Sequence, residues 1–85
     1  MDTEGRSFSA LVKEMRRQLS LSQEDLARQL GVSYATVNRW ENGLSKPSKL
    51  AKAQLKAFCE KMIERGKLTL STDMMDFADL GPNRD

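Results

Sequence analysis

Residues 21–43, LSQEDLARQLGVSYATVNRWENG, constrain the fold of this chain more than any other stretch. Ser22 and Ser33 each stand where a side-chain oxygen can accept a hydrogen bond from the first turn of a helix. Gly31 is typical of a helix end, and so is the Asn-Gly pair that closes the stretch. The pattern therefore predicts two short helices joined by only three residues, which requires a steep crossing between them. These helices are predicted over residues 23–30 and 34–41.

Two further helices are predicted, one on each side of this pair. Apolar residues at i, i+3, i+4 and i+7 spacing predict a first helix over about 8–19, with Ser7 as its N-cap. A longer apolar face predicts a fourth helix over about 48–65, with a row of lysines on its opposite, solvated side. Those lysines are Lys49, Lys52 and Lys56. The predicted fold class is all-α, a compact bundle of four to five helices with a long fourth helix.

The C-terminal segment, residues 71–85, differs in charge from the rest of the chain. Residues 1–70 carry thirteen Lys and Arg against eight Asp and Glu, whereas residues 71–85 carry one Arg against four Asp. We therefore expect a basic helical domain over 1–70, which favours a polyanionic partner, and a short acidic tail. The alternation of apolar and polar residues at 68–71 allows a short strand, and Thr72 or Asp73 is placed to cap one helical turn.

Several residue types are missing, and their absence limits the chemistry. The chain has no histidine, and its one cysteine, Cys59, falls on an apolar helix face, where a small core residue is expected. We find no metal-ligand cluster, glycine-rich phosphate loop or nucleophile paired with a base. We therefore expect no enzyme activity, no metal, no cofactor and no small-molecule ligand. Without a long apolar run or a secretory signal, a cytoplasmic, nucleoid-associated protein and no membrane contact are expected.

The second helix of the central pair has a polar outer face that suits DNA. Val37 and Trp40 are spaced to anchor this helix in the core. The remaining side chains are small or form hydrogen bonds, as a helix in the major groove requires; arginine reads guanine, and asparagine reads adenine. Two short helices with such a second helix make a helix-turn-helix. The residues left on its outer and flanking sides are Tyr34, Ala35, Thr36, Asn38 and Arg39.

The stretch 21–43, followed by Lys-Pro-Ser, resembles the phage-repressor (Cro and lambda-repressor-like, or XRE) helix-turn-helix family. The resemblance rests on Gln at the start of the second helix, Ala-Arg-x-Leu-Gly-Val at the turn and Trp-Glu-Asn-Gly after it, and it extends over about 8–58. It implies a compact bundle of four or five helices that binds double-stranded DNA, usually an inverted-repeat operator, as a homodimer. Many members have a separate fifth helix, which this chain joins to its fourth.

The resemblance also implies roles for individual residues. The base-facing positions correspond to Ser33, Tyr34, Ala35 and Arg39, with Thr36 and Asn38 nearby. The positions that hold DNA phosphates correspond to Gln23, Asn42 and Lys46. Arg16 is implied to form a structural ion pair with Glu41, and it can reach a phosphate at the same time.

Two interpretations of function stay open at this level. The first is a sequence-specific transcriptional regulator, most simply a repressor, that reads the major groove with residues 33–42. The second is an antitoxin-like or accessory module whose tail, 71–85, binds a partner protein and whose DNA binding is autoregulatory. Similar domains are also found fused to larger DNA-modifying enzymes, so this chain can also guide such a complex. Tyr34, Arg39 and Lys46 also admit a plain role as solvated or packing surface.

Overall fold

Four helices form the described part of the chain. A computed structural model describes the backbone of residues 3–70 and the side chains of residues 8–70. No strand occurs within residues 3–70, so the predicted all-α fold is confirmed. The predicted acidic tail and its helical turn lie outside the described residues. The helices are α1 (Thr3–Leu19), α2 (Gln23–Leu30), α3 (Tyr34–Glu41) and α4 (Lys49–Glu64).

A single apolar core lies between these helices and fixes the position of α3. Both α1 and α2 pack against α3, and α2 also packs against α4. Trp40 of α3 is 1% exposed, and its ring meets that of Phe8 edge to face, with 5.5 Å between ring centroids. Full burial of a large apolar side chain contributes about 1.5–3 kcal/mol. The largest fully buried side chains are Leu11, Val12, Met15, Leu26, Val37, Trp40, Leu55 and Cys59.

Serine side chains begin three of the helices. Ser22 Oγ accepts from the Asp25 amide at 2.9 Å, and Asp25 Oδ2 accepts from the Ser22 amide at 3.2 Å, which completes a capping box. Ser33 and Ser48 each accept a hydrogen bond of 3.1 Å from the amide three residues further on. Such caps contribute about 1 kcal/mol each by satisfying amides that have no partner inside the helix. The predicted bounds of α2 and α3 are confirmed.

The helix ends share one backbone arrangement. In each, the last bond runs from an amide to the carbonyl five residues earlier, as from Val32 to Ala27 at 3.0 Å. The residue before that amide is left-handed, and glycine occupies it without steric cost, as Gly31 does with φ 75°. Ser20, with φ 55°, is the non-glycine exception among the described residues. A left-handed residue with a Cβ costs roughly 1 kcal/mol, so the turn between α1 and α2 is strained.

Two sequence predictions about helices are wrong. Helix α1 begins at Thr3 rather than near residue 8, so Ser7 lies within the helix and is not its N-cap. The prediction relied on the spacing of apolar residues, and the first turn contains none and includes Gly5, a weak helix former, so it was not recognised as helix. Lys52, predicted on the solvated side of α4, is 8% exposed. Its position next to Ala51 lies at the edge of the buried face, and the aliphatic stem of a lysine readily covers apolar surface.

Gln18 of α1 holds the segment that follows α4. Its Nε2 donates to the Thr69 carbonyl at 2.8 Å, and its Oε1 accepts from the Thr69 amide at 2.8 Å. Leu68 is 2% exposed, and Leu70 packs against the core. No strand forms over residues 68–70, where the hydrogen-bonding partner of the Thr69 backbone is a side-chain amide and not a neighbouring strand; residue 71 lies outside the described residues. We call the two hydrogen bonds between Gln18 and Thr69 the Gln18 clasp.

Candidate nucleic-acid interface

The outer face of α3 presents three of the predicted base-facing side chains to solvent. Ala35 and Arg39 lie one turn apart, on the side opposite the fully buried Val37. Tyr34, at the first position of the helix, is 53% exposed. The guanidinium of Arg39 makes no hydrogen bond or ion pair with residues 8–70, so its donors are available to an external acceptor. The structure thus brings Tyr34, Ala35 and Arg39 together on one accessible surface.

Two other predicted base-facing residues meet at the start of α3. Ser33 Oγ and Thr36 Oγ1 lie 2.9 Å apart and share a hydrogen bond, while Ser33 Oγ also accepts from the Thr36 amide. Ser33 is exposed and Thr36 half-buried. The amide-rich, positive end of the helix is here, which favours an anionic neighbour such as a phosphate.

A chain of hydrogen bonds, which we call the amide relay, links α2 to α3. Asn42 Nδ2 donates to Asn38 Oδ1 at 3.2 Å, and Asn38 Nδ2 donates to Gln23 Oε1 at 3.2 Å. Gln23 Nε2 then donates to Glu41 Oε1 at 3.0 Å. Each side-chain amide donates to the next group in the order Asn42, Asn38, Gln23 and Glu41, so the relay ends at a carboxylate. Two predicted phosphate contacts, Gln23 and Asn42, are thereby joined to a predicted base contact, Asn38.

Arg16 and Glu41 form the ion pair that the family resemblance implies. Arg16 Nη2 donates to Glu41 Oε1 at 3.0 Å, and Arg16 Nε donates to Glu41 Oε2 at 2.5 Å. Arg16 Nη1 also donates to the Leu21 carbonyl at 3.0 Å, and Ser9 Oγ donates to the Glu41 carbonyl at 2.6 Å. These contacts tie the end of α3 to α1 and to the turn before α2. Fork-shaped pairs of this kind fix orientation as well as adding energy.

Glu41 stays charged although its side chain is only 6% exposed. Burial raises the pKa of Glu41, but hydrogen bonds from Arg16 and Gln23, with the positive charges of Arg16 and Lys13, outweigh it. The net effect holds the pKa of Glu41 below its usual value, so the carboxylate is ionised at neutral pH. The amide relay therefore ends at a permanent acceptor.

The predicted phosphate contacts differ in how much hydrogen-bonding capacity they retain. Lys46 is exposed in the loop between α3 and α4, whereas Gln23 and Arg16 are half-buried. Every guanidinium nitrogen of Arg16 already donates within the protein, which leaves only the second hydrogens of Nη1 and Nη2. Asn42 turns its Nδ2 inward, to the carbonyl and Oδ1 of Asn38, so a phosphate contact by Asn42 requires another rotamer.

Other kinds of site find little support in the part of the chain that the structure describes. Among those residues, no three His, Cys, Asp or Glu side chains are placed to hold a metal ion. Burial, with the negative charge of Glu60, raises the pKa of Cys59 to about 12, so the thiol stays protonated at neutral pH. None of the described helices combines the length and apolar character needed to cross a membrane.

The sequence did not indicate two features of this surface. It gave no sign that Asn38 faces Gln23 on α2, because the two residues are fifteen positions apart. Nor did it mark Leu44 and Leu50, which are 72% and 73% exposed on either side of the Lys-Pro-Ser segment. Single exposed apolar residues are common in folded proteins, so no local pattern distinguishes these two from buried ones.

Two short helices with a three-residue connection, the second one carrying an accessible polar face over a buried anchor, define a helix-turn-helix DNA-binding domain. Comparison with known proteins agrees, since a family model described as Helix-turn-helix matches residues 12–51. The matched residues include both helices of the pair, α2 and α3.

One curated relative extends the similarity beyond the helix-turn-helix itself. The chain is 34% identical over 84 residues to "Type II methyltransferase M1.ScrFI" of Lactococcus lactis subsp. cremoris. The alignment covers 94% of this chain but 22% of that protein, so the chain spans about a fifth of the relative's length. No solved structure matches the chain.

Proposed function

We propose that this chain is a sequence-specific double-stranded DNA-binding protein that regulates transcription as a repressor. The observation that carries the proposal is the division of α3 into two sides. Val37 and Trp40 are at most 1% exposed and hold the helix rigidly, whereas Ala35 and Arg39 face solvent with no competing partner for Arg39 among residues 8–70. A helix held in this way offers preorganised donors to base edges in the major groove.

In this proposal, α3 enters the major groove and the residues around it fix its register. Arg39 reads a guanine through paired contacts to O6 and N7, with Tyr34 and Ala35 beside it. Ser33, Thr36 and Asn38 flank these contacts, and Gln23, Arg16, Asn42 and Lys46 supply the contacts to phosphates.

The proposal extends to a homodimer on an inverted repeat. Two copies of α3 would then read half-sites whose centres lie roughly 34–36 Å apart, one helical turn of DNA. A protein bound in this way represses by occupying DNA that the polymerase needs. No small-molecule ligand takes part.

Fluorescence anisotropy tests the proposal most directly. Duplexes from the region upstream of the protein's own gene are compared with random duplexes at two salt concentrations. A specific complex at least ~10³-fold tighter than the random one supports an operator-reading regulator. Weak binding that depends only on salt would overturn it.

Two alanine variants assign the contacts within the complex. Arg39→Ala should cost about 1–3 kcal/mol at the cognate site and relax the preference at one base pair. Lys46→Ala should weaken binding to all duplexes alike and lower the salt slope by about one. Lys61→Ala removes the same charge from an exposed position on α4 and serves as the control. Equal losses on specific and random DNA for Arg39→Ala would remove its role as a base reader.

A second candidate function follows from the 34% identity to a protein named as a methyltransferase. In this candidate, the domain supplies DNA recognition to a DNA-modifying enzyme instead of acting as a separate regulator. The antitoxin-like alternative, with a protein partner bound through residues 71–85, stays a prediction. Genomic footprinting separates the first two, because a regulator occupies a few promoters whereas a guide for modification occupies the enzyme's target sites.

A further inference from the structure

The direction of the amide relay follows from its terminal carboxylate. An amide offers donors at one end and an acceptor at the other, and a half-turn of the group exchanges them. Glu41 can only accept, so Gln23 must present its Nε2 to it, at 3.0 Å. Gln23 Oε1 then faces Asn38, and because this oxygen can only accept, Asn38 must donate to it through Nδ2, at 3.2 Å. One charged group thus orients two neutral side chains.

The opposite orientation of the relay is unfavourable for a structural reason. A half-turn of the Gln23 amide would set its Oε1 against Glu41 Oε1, so two acceptors would face each other. Arg16 occupies both carboxylate oxygens from the other side and keeps Glu41 charged, so the carboxylate cannot become the donor. Glu41 is 6% exposed and the amides of Gln23 and Asn38 are half-buried, so a mismatched group has fewer alternative partners here than at the open surface.

The relay leaves Asn38 with one donor and one acceptor to spare. Its amide has two N–H groups and two lone pairs, of which one N–H goes to Gln23 and one lone pair receives Asn42. The remaining N–H and lone pair are the combination that a paired contact to adenine N7 and N6 uses. Gln23 likewise keeps one N–H, which suits a phosphate oxygen.

We propose that Glu41 is a positioning residue for base recognition: acting through Gln23, it orients the Asn38 amide so that Asn38 selects adenine. This inference rests on the proposed DNA-binding function and deepens it, because it couples the phosphate contact of Gln23 to the base contact of Asn38. A reversed relay would present oxygen where adenine N7 needs a donor, and the preference for adenine would be lost.

A selection from a library of DNA duplexes tests the proposal. Each duplex has a randomised core of about 20 base pairs, which leaves room for roughly one binding site. Asn38→Ala first identifies the base-pair position that Asn38 reads. Wild-type protein should prefer adenine there by about tenfold, and Glu41→Gln or Gln23→Ala should remove most of that preference while the position read by Arg39 is unchanged. Gln29→Ala, at an exposed site on α2, should alter neither position.

The two variants protect the test against a folding defect. Glu41→Gln also weakens the ion pair with Arg16, and its melting temperature shows whether it folds. Gln23→Ala removes the middle of the relay from a half-buried site and leaves that ion pair in place. An undiminished adenine preference in Gln23→Ala overturns the inference, because a plain phosphate contact would lower affinity without changing sequence preference.

A measurement on the free protein separates this inference from the proposed function. The hydrogen bond from Asn38 Nδ2 to Gln23 Oε1 should give an NMR coupling across the bond in wild type, which Glu41→Gln abolishes or weakens. A library that yields no preferred sequence with wild-type protein would refute the proposed function. A missing coupling in wild type would refute the relay whatever the DNA result.

Discussion

The Gln18 clasp makes a quantitative prediction about how the end of the domain is held. Gln18→Ala removes two hydrogen bonds of 2.8 Å to Thr69 and one of 2.7 Å to Glu14. A protein hydrogen bond contributes about 0.5–1.5 kcal/mol net, and because Thr69 is exposed, water replaces the lost partner and the low end applies. The higher helix propensity of alanine offsets this loss by a few tenths of a kcal/mol. We expect a loss of about 1 kcal/mol, which lowers the melting temperature by about 4–8 °C.

Thermal unfolding followed by circular dichroism, together with amide exchange, measures this effect. Gln29→Ala is the matched control, since Gln29 is exposed and its side chain makes no hydrogen bond within residues 8–70. The control gains the same helix propensity and should melt at or slightly above the wild-type temperature. In Gln18→Ala the Thr69 amide should also exchange faster, while the amide of Leu55 keeps its protection. Identical melting temperatures for the two variants, or unchanged exchange at Thr69, would refute the reasoning.

Three other outcomes are expected. Ser20→Gly should raise the free energy of unfolding by about 0.5–1 kcal/mol, because glycine relieves the left-handed strain at φ 55°; a lower melting temperature would contradict this. Hydrogen bonds from Arg17 and Gln18 hold the pKa of Glu14 at about 2, and the pKa of Glu41 is also lowered. The contribution of these two carboxylates to the free energy of unfolding should therefore be fully present above the unfolded pKa of about 4.3. It should be lost as the pH falls through the lower pKa values of the folded state. Melting curves from pH 7 to 2 check this, and Glu41→Gln should flatten them. Deletion of residues 71–85 should leave specific DNA binding unchanged if the tail serves only a protein partner, as anisotropy with the truncated chain would show.

Short-range chemistry made the central helices predictable from the sequence. Ser22 with Asp25 and Ser33 with Thr36 act three residues apart, and the left-handed turn at Gly31 depends only on its immediate neighbours. Such signals are complete within a window of a few residues. The bounds of α2 and α3 and the burial of Trp40 could therefore be predicted before any tertiary contact was known.

Long-range contacts explain what the sequence could not supply. The Gln18 clasp joins residues 51 positions apart, and the hydrogen bond from Gln23 to Glu41 joins residues 18 positions apart. A glutamine carries no local mark that distinguishes a clasp or a relay from a solvated side chain. Lys52 was misplaced for a related reason, because periodicity assigns a face to a helix but does not say how far that face extends.

The positions of Trp40 and Tyr34 give the unlabelled protein two optical reporters. They are the chain's single tryptophan and single tyrosine, and both belong to α3. The indole, 1% exposed, looks into the apolar interior, whereas the phenol, 53% exposed, looks outward. Tryptophan emission therefore follows loss of the core and resists aqueous quenchers, while tyrosine signals respond to whatever approaches from outside. Intrinsic spectroscopy can thus address the inner and outer sides of one helix separately, without a dye.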